Sequence, residues 1–397
     1  MSATLRNNLI LLALGQGLTG SIISLMTLTS TLAGVMLAPL PALSTLPITA
    51  TVCGAAVMIY FVSSLMARYG RARGFVIGAL VGLAGSALAG AAMVTKSFPL
   101  LLLATFVLGM SSAFNPYYRF AAAEIYRDPH EKNRAIAWVI GGGILGGFLG
   151  PLAASQAADG WADYPFLGSF VAAGLICCVT AILQACLRLP PASEPAPVSA
   201  NPPPLSQALK SRVFFAGTAS CAIAFVVMTL SMNAAPLAMH HHHFSIDSSA
   251  TVLQWHFIAM YAPSLLLARW GARAAPRTII IIGLASSVLG ILVALSGQGF
   301  WHFLAALMLS GIGWALMFNG GTFLLNAFAH SPHKAKIQGI NSLLTYLPNM
   351  LASLSVGAMM VSAQGWVWVN LSSVAILLGM ACVLLGQRWR MSSARAR

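Results

Sequence analysis

Leu65-Met66-Ala67-Arg68-Tyr69-Gly70 returns about two hundred residues later as Leu266-Leu267-Ala268-Arg269-Trp270-Gly271. In both places an apolar run ends in Arg, an aromatic residue and Gly, the exit of a hydrophobic helix into a basic loop. Two further echoes keep nearly the same shift: Phe114-Asn115 with Phe318-Asn319, and Pro129-His130-Glu131-Lys132 with Pro332-His333-Lys334. A chain that repeats its helix ends in the same order is built from two like halves of parallel topology.

The segments between these echoes read as membrane spans. The chain is 58% hydrophobic and 7% charged, against roughly 25% charged residues in an ordinary soluble domain. Apolar runs of spanning length fall near 9–36, 44–67, 74–95, 98–122, 135–158, 165–188, 212–239, 249–269, 277–297, 299–326, 337–362 and 365–387. An all-α membrane protein of twelve spans is therefore expected, as two six-helix bundles at 1–188 and 212–397. Between them, 189–211 is rich in proline, from Pro190 to Pro204, and reads as an extended spacer.

The net charge of +14 is a topology signal and not a nucleic-acid footprint. Numbering the loops alternately, 20 of the 21 Lys and Arg residues fall on one side, with Lys96 alone on the other. Basic residues concentrate in cytoplasmic loops, so both termini are expected in the cytoplasm, in a bacterial inner membrane. The first apolar stretch is too long for a cleavable signal peptide. The six cysteines all lie in predicted spans, which suits small core residues better than a disulfide framework.

Four soft ligands stand out within the spans. Met228 and Met232 lie on one helix, His256 and Met260 on the next. Each pair is spaced i, i+4, so its members share a helix face about 6 Å apart along the axis. Met232 and His256 lie twelve residues either side of Phe244, and Met228 and Met260 sixteen. On antiparallel neighbouring helices the four would fall at two matched depths. Thioether and imidazole without carboxylate favour copper, cuprous above all. Single methionines on apolar helices are usually packing residues, but an ionisable side chain deep in a span is a functional candidate by default.

Two flanking features extend this set. Cys221, seven residues before Met228, is either a thiolate relay or an inert buried cysteine. Met239 and the tract His240-His241-His242-His243 stand at the mouth of the same helix pair, as a capture site for metal or as a solvated loop. Gln16, Asn115, Tyr118, Gln254, Trp255, Asn319 and Asn349 are candidates to line a central cavity. With Tyr117, Tyr346 and Trp314 they would equally embrace a flat organic ring. The bland reading of most is interhelical hydrogen bonding. Trp161, Trp301, Trp366 and Trp368 read as an interfacial aromatic belt.

Six helices, a basic loop after the second, and the same again resemble the major facilitator superfamily over the whole chain. The loop Arg68-Tyr69-Gly70-Arg71-Ala72-Arg73 is similar to that superfamily's cytoplasmic loop motif, with Ala67 where an acidic residue is usual. Gly142, Gly146 and Gly150, followed by Pro151, resemble its fifth-helix motif. Met228-xxx-Met232 with Gln254-Trp255-His256-Phe257-Ile258-Ala259-Met260 and Pro263-Ser264 resembles the CcoA-type copper importers, a group that also includes riboflavin importers.

The resemblance implies a transporter, not an enzyme. Its substrate site lies between the halves near the bilayer midplane, and it has no tightly bound cofactor. Copper would be the cargo, destined for cytochrome oxidase assembly, with membrane lipids and cytoplasmic copper-binding proteins as partners. Import of a small organic solute such as riboflavin is the alternative. No acidic residue lies well inside a span, which leaves His256 as the candidate proton carrier. No GxxxxGK[ST] phosphate loop occurs, which excludes pumping driven by ATP bound to such a loop.

Overall fold

A computed structural model of the protein describes residues 3–126, 129–189, 204–270, 275–325, 328, 331 and 333–395. The first helices are α1 Ala3–Leu37, α2 Leu46–Tyr69, α3 Arg71–Thr95, α4 Phe98–Ser112, α5 Tyr117–Ile125, α6 Pro129–Gln156 and α7 Leu167–Ala185. After the short α8 Leu205–Leu209 come α9 Arg212–His241, α10 Ile246–Trp270, α11 Pro276–Ser296, α12 Phe300–Leu325, α13 Lys334–Met360 and α14 Gly365–Arg395. Twelve stretches are long and apolar enough to cross a membrane, α4 and α5 together forming the fourth. No strand occurs among the described residues. Most of the proline-rich stretch, 190–203, lies outside them.

Local chemistry sets the helix ends. Ser97 and Ser211 cap α4 and α9, their hydroxyls accepting from the amides of Leu100 and Phe214, which satisfies orphan donors of the first turn. The fourth span is interrupted at Pro116, which lacks the amide needed to continue the ladder. There the amides of Phe114, Asn115, Tyr117 and Tyr118 donate three residues back, and the axis restarts as α5. At the other extreme, α9 stops in a Schellman turn. His243 takes a left-handed φ of 59°, while the amides of His243 and Phe244 donate to the carbonyls of His240 and Met239.

Small residues then fix which helices meet. A Cβ at Gly142 would strike the carbonyl of Ala13, and one at Gly146 would lie 2.6 Å from that of Gly17. The fifth-span glycines therefore let α6 lie against α1, and Ser24 adds a hydrogen bond of 2.8 Å to the Gly146 carbonyl. In the second set, α12 presents Gly321 to α9 and Gly311 to the His256 carbonyl of α10. Consequently α12 packs along both α9 and α10, which touch each other only slightly.

The helices before and after 190–203 meet mainly through α6 on α10 and α2 on α13. Thr49 of α2 and Ser353 of α13 share a hydrogen bond of 2.9 Å, and Ser353 also accepts from Asn233 Nδ2 of α9 at 3.0 Å. Gln254 Nε2 donates to the Phe148 carbonyl at 3.0 Å. These ties all lie toward the end that carries His240 to His243, the histidine end, opposite the basic loops. Trp366 departs from its expected belt position. It is buried, donating from Nε1 to the Ala294 carbonyl at 3.1 Å, whereas Trp161, Trp301 and Trp368 are exposed.

Candidate functional site

Met228, Met232, Met260 and His256 are all buried, and the three methionines belong to one apolar cluster. The premise that their helices are direct neighbours does not hold, because the glycines of α12 draw it into contact with both. His256 accordingly turns its ring to α12, with Nδ1 at 2.6 Å from the Leu307 carbonyl oxygen. A carbonyl only accepts, so the proton sits on Nδ1 and the lone pair on Nε2. That Nε2 is buried without a hydrogen-bond partner. An imidazole held in this way by a backbone carbonyl presents its other nitrogen as a ligand or acceptor.

The flanking candidates part company. Cys221 is fully buried and its thiol donates weakly to the Phe318 carbonyl at 3.7 Å. Met239 packs in the core, while all four histidines are exposed beyond it. The tract forms the stop of α9, where histidines suit the negative end of the helix.

A second constellation lies on the seam between the two sets of helices. Trp314 and Phe318 of α12 stack at 5.2 Å with their planes 7° apart. Phe225 of α9 sits edge-on to both, and 5.8 Å from the Tyr346 ring of α13. Tyr346 is within electrostatic reach of Tyr117 and Arg119, both on α5 of the other set, and of Tyr261 on α10. Arg119 also faces Cys221. Each of these aromatic residues is only partly buried, so their rings keep some accessible surface along the seam. Trp314 Nε1 and Arg119 Nε of this cluster, and Thr345 Oγ1 and Asn349 Oδ1 on the helix that carries Tyr346, are buried without partners.

The other predicted lining residues serve the framework. Gln16 Nε2 donates to Asn115 Oδ1 at 2.8 Å, and Asn115 Nδ2 returns a bond to the Gln16 carbonyl at 3.1 Å. Tyr118 is buried and stacked on Phe75 with ring centroids 3.9 Å apart. Asn319 Nδ2 bonds Ser264 at 2.9 Å and so ties α12 to α10. Trp255 is exposed on the face that also exposes Leu266, away from this cluster.

Arg119, Tyr261 and Phe225 were missed in the sequence. Arg119 carried a signal all the same, lying inside the predicted span 98–122, where an ionisable residue is costly. The loop motif also resolves differently from its usual form. With Ala67 in the acidic position, Arg71 pairs with Glu124 at the end of α5, Nε to Oε2 at 3.0 Å and Nη2 to Oε1.

Twelve apolar spans among the described residues, in two like sets of packing partners that meet at a polar-aromatic seam, define a multi-pass membrane carrier. The chain belongs to the Major Facilitator Superfamily, whose profile matches residues 7–259 and 218–396, and it is a secondary transporter of that superfamily. It is 31% identical, over 92% of each chain, to the riboflavin transporter RfnT of Brucella anthropi. It is 24% identical to the uncharacterized MFS-type transporter YddS of Bacillus subtilis, over 82% of this chain and 78% of that one. Among solved structures, a bacterial homologue of the human lysosomal transporter Spinster, inward-facing and unoccupied, superposes with a TM-score of 0.72 at 15% identity, covering 98% of both chains.

Proposed function

We propose that this chain imports riboflavin, or a closely similar flat heteroaromatic solute, across a bacterial inner membrane. The two bundles, 1–188 and 212–397, rock about the seam, with the basic loops and both termini in the cytoplasm. The likeness to a riboflavin transporter through nearly the whole of both chains carries this reading. The partly exposed rings of Phe225, Trp314, Phe318 and Tyr346 suit a planar cargo.

Copper is the second reading, favoured by one observation: the Nε2 lone pair of His256, oriented by Leu307 and buried in the cluster that holds Met228, Met232 and Met260. Electrostatics weigh against it. Arg119 faces Cys221, one residue set about 10 Å along α9 from Met228. A cation bound in this bundle is repelled by that guanidinium. No intramembrane carboxylate among the described residues offsets that repulsion.

The test is paired uptake of labelled riboflavin and labelled copper in cells lacking their own importers. The wild type is compared with Met228→Ala, Met232→Ala, His256→Ala and Met260→Ala at matched membrane abundance. Riboflavin accumulation with no copper signal supports the first reading. Copper accumulation abolished by His256→Ala overturns it in favour of the second.

A further inference from the structure

Among the charged side chains that the structure describes, Arg119 alone sits at the seam with a buried, unpartnered nitrogen. Its setting is not explained by folding. It occupies the first turn of α5, where a cation opposes the helix macrodipole. Nor does a carboxylate among the described residues neutralise it. Glu124 is held by Arg71, and Asp159, Asp163 and Asp247 stand at the histidine end of the helices. The side chains of Asp128, Glu131 and Glu194 lie outside the described residues. Guanidinium is a planar fork that bonds paired oxygens in its own plane. Tyr346 and Tyr117 stand within its electrostatic reach, its guanidinium lies 5.0 Å from the Phe120 ring centroid, and Phe225 links Tyr346 to the stacked Trp314.

We propose that Arg119 anchors the cargo: its fork bonds an electron-rich edge, two ring carbonyls or one anionic group, of a planar solute whose faces lie against Tyr346 and Trp314. The same charge refuses cations of similar shape. This rests on the transport reading above and narrows its substrate class, since the dioxopyrimidine edge of a flavin is such an edge. In selectivity terms, a site built around one fork discriminates most strongly against a ring that lacks the matching acceptors.

Binding to the purified full-length protein, read by quenching of flavin or tryptophan fluorescence, tests this with four probes. They are riboflavin, an uncharged phenazine without carbonyls, the cationic tricycle proflavine, and a planar aromatic carboxylate. Wild type is expected to bind riboflavin at least tenfold more tightly than phenazine and to exclude proflavine. Arg119→Gln should weaken riboflavin about ten- to a hundredfold, leave phenazine unchanged and admit proflavine. Arg119→Lys should recover only part of the loss, as a point charge without the fork, and it decides the matter if the glutamine variant does not accumulate.

Riboflavin bound equally by wild type and both variants overturns the anchor while leaving flavin transport standing. A wild type that ignores riboflavin but binds the aromatic carboxylate through Arg119 overturns the flavin reading and keeps the anchor. Binding of neither overturns both.

Discussion

The two sets of helices repeat one another in sequence, but among the described residues more buried polar atoms lack a partner in the second than in the first. In the first, Gln16 and Asn115 bond each other twice, Tyr118 bonds Thr19, and Gln184 Nε2 reaches the Leu11 carbonyl, while Gln184 Oε1, Thr29 Oγ1 and Arg119 Nε are left without partners. In the second, Asn349, Thr345, Trp314 and His256 each keep a buried polar atom without a partner. The equivalent pair Phe114-Asn115 and Phe318-Asn319 shows the divergence within one motif. Asn115 locks α1 to the turn before α5, whereas Asn319 leans on Ser264 beside the aromatic cluster. A buried polar group left unpaired costs about 1–3 kcal/mol, a cost that water or a bound solute would offset. The first set is a framework that contributes Arg119; the second carries most of the waiting donors and acceptors.

Aromatic truncation is expected to separate the two sets most strongly. Tyr118→Ala removes a buried ring from the first set and should cost about 3–5 kcal/mol of stability, seen as a lowered unfolding midpoint in detergent. Trp314→Ala, at a partly exposed ring, should cost less stability but weaken the solute about two- to tenfold. Equal stability losses at the two positions would erase the distinction.

Next in size is the amide pair. Asn115→Leu orphans Gln16 and should destabilise by about 1–3 kcal/mol, part of which the double substitution with Gln16→Leu restores. Asn349→Leu removes an acceptor that has no partner, so it should unfold no more easily than wild type while binding solute less well. A destabilised Asn349→Leu protein with normal binding would show that Asn349 belongs to the framework after all.

Smaller again is the tie at the histidine end. Thr49→Val deletes the bond to Ser353 that crosses the seam, while Asn233 still holds Ser353 from its own set. Loss of one such bond, about 0.5–1.5 kcal/mol, should raise the population open at that end about two- to tenfold. The distance between spin labels at the exposed positions Leu40 and Val361 reports it. An unchanged distance distribution would mean that α6 on α10 alone holds that end shut.

The halves and spans were legible because hydrophobic run length and loop charge are properties of consecutive residues. Azimuth was not. The spacing of Met228, Met232, His256 and Met260 about Phe244 fixes depth along two helices, but it says nothing of what stands between them. That was decided by Gly311 and Gly321 on α12, far along the chain. Arg119 was misread for a different reason: it was counted as topological charge with the loop residues that follow it, although it lies within the span. Trp366 likewise has the depth of a belt residue, yet its orientation toward Ala294 and Phe303 buries it.

The smallest effect is expected at the best-formed ion pair. Arg71 and Glu124 make two contacts, and Arg71 also lies 5.9 Å from the Tyr117 ring. Yet both partners are part-exposed, at 24% and 36%, where solvent screens such a pair to about 1 kcal/mol or less. The pair also joins α3 to α5 within one set and does not cross the seam. Glu124→Gln should therefore lower the unfolding midpoint slightly, more so at low salt than high, and leave the Leu40–Val361 distance unchanged. In the loop motif that this stretch resembles, a gating salt bridge is usual, but here Ala67 stands in place of its acidic residue. If Glu124→Gln shifts that distance as far as Thr49→Val does, the pair is part of the switch. The first set would then be more than a framework that presents Arg119.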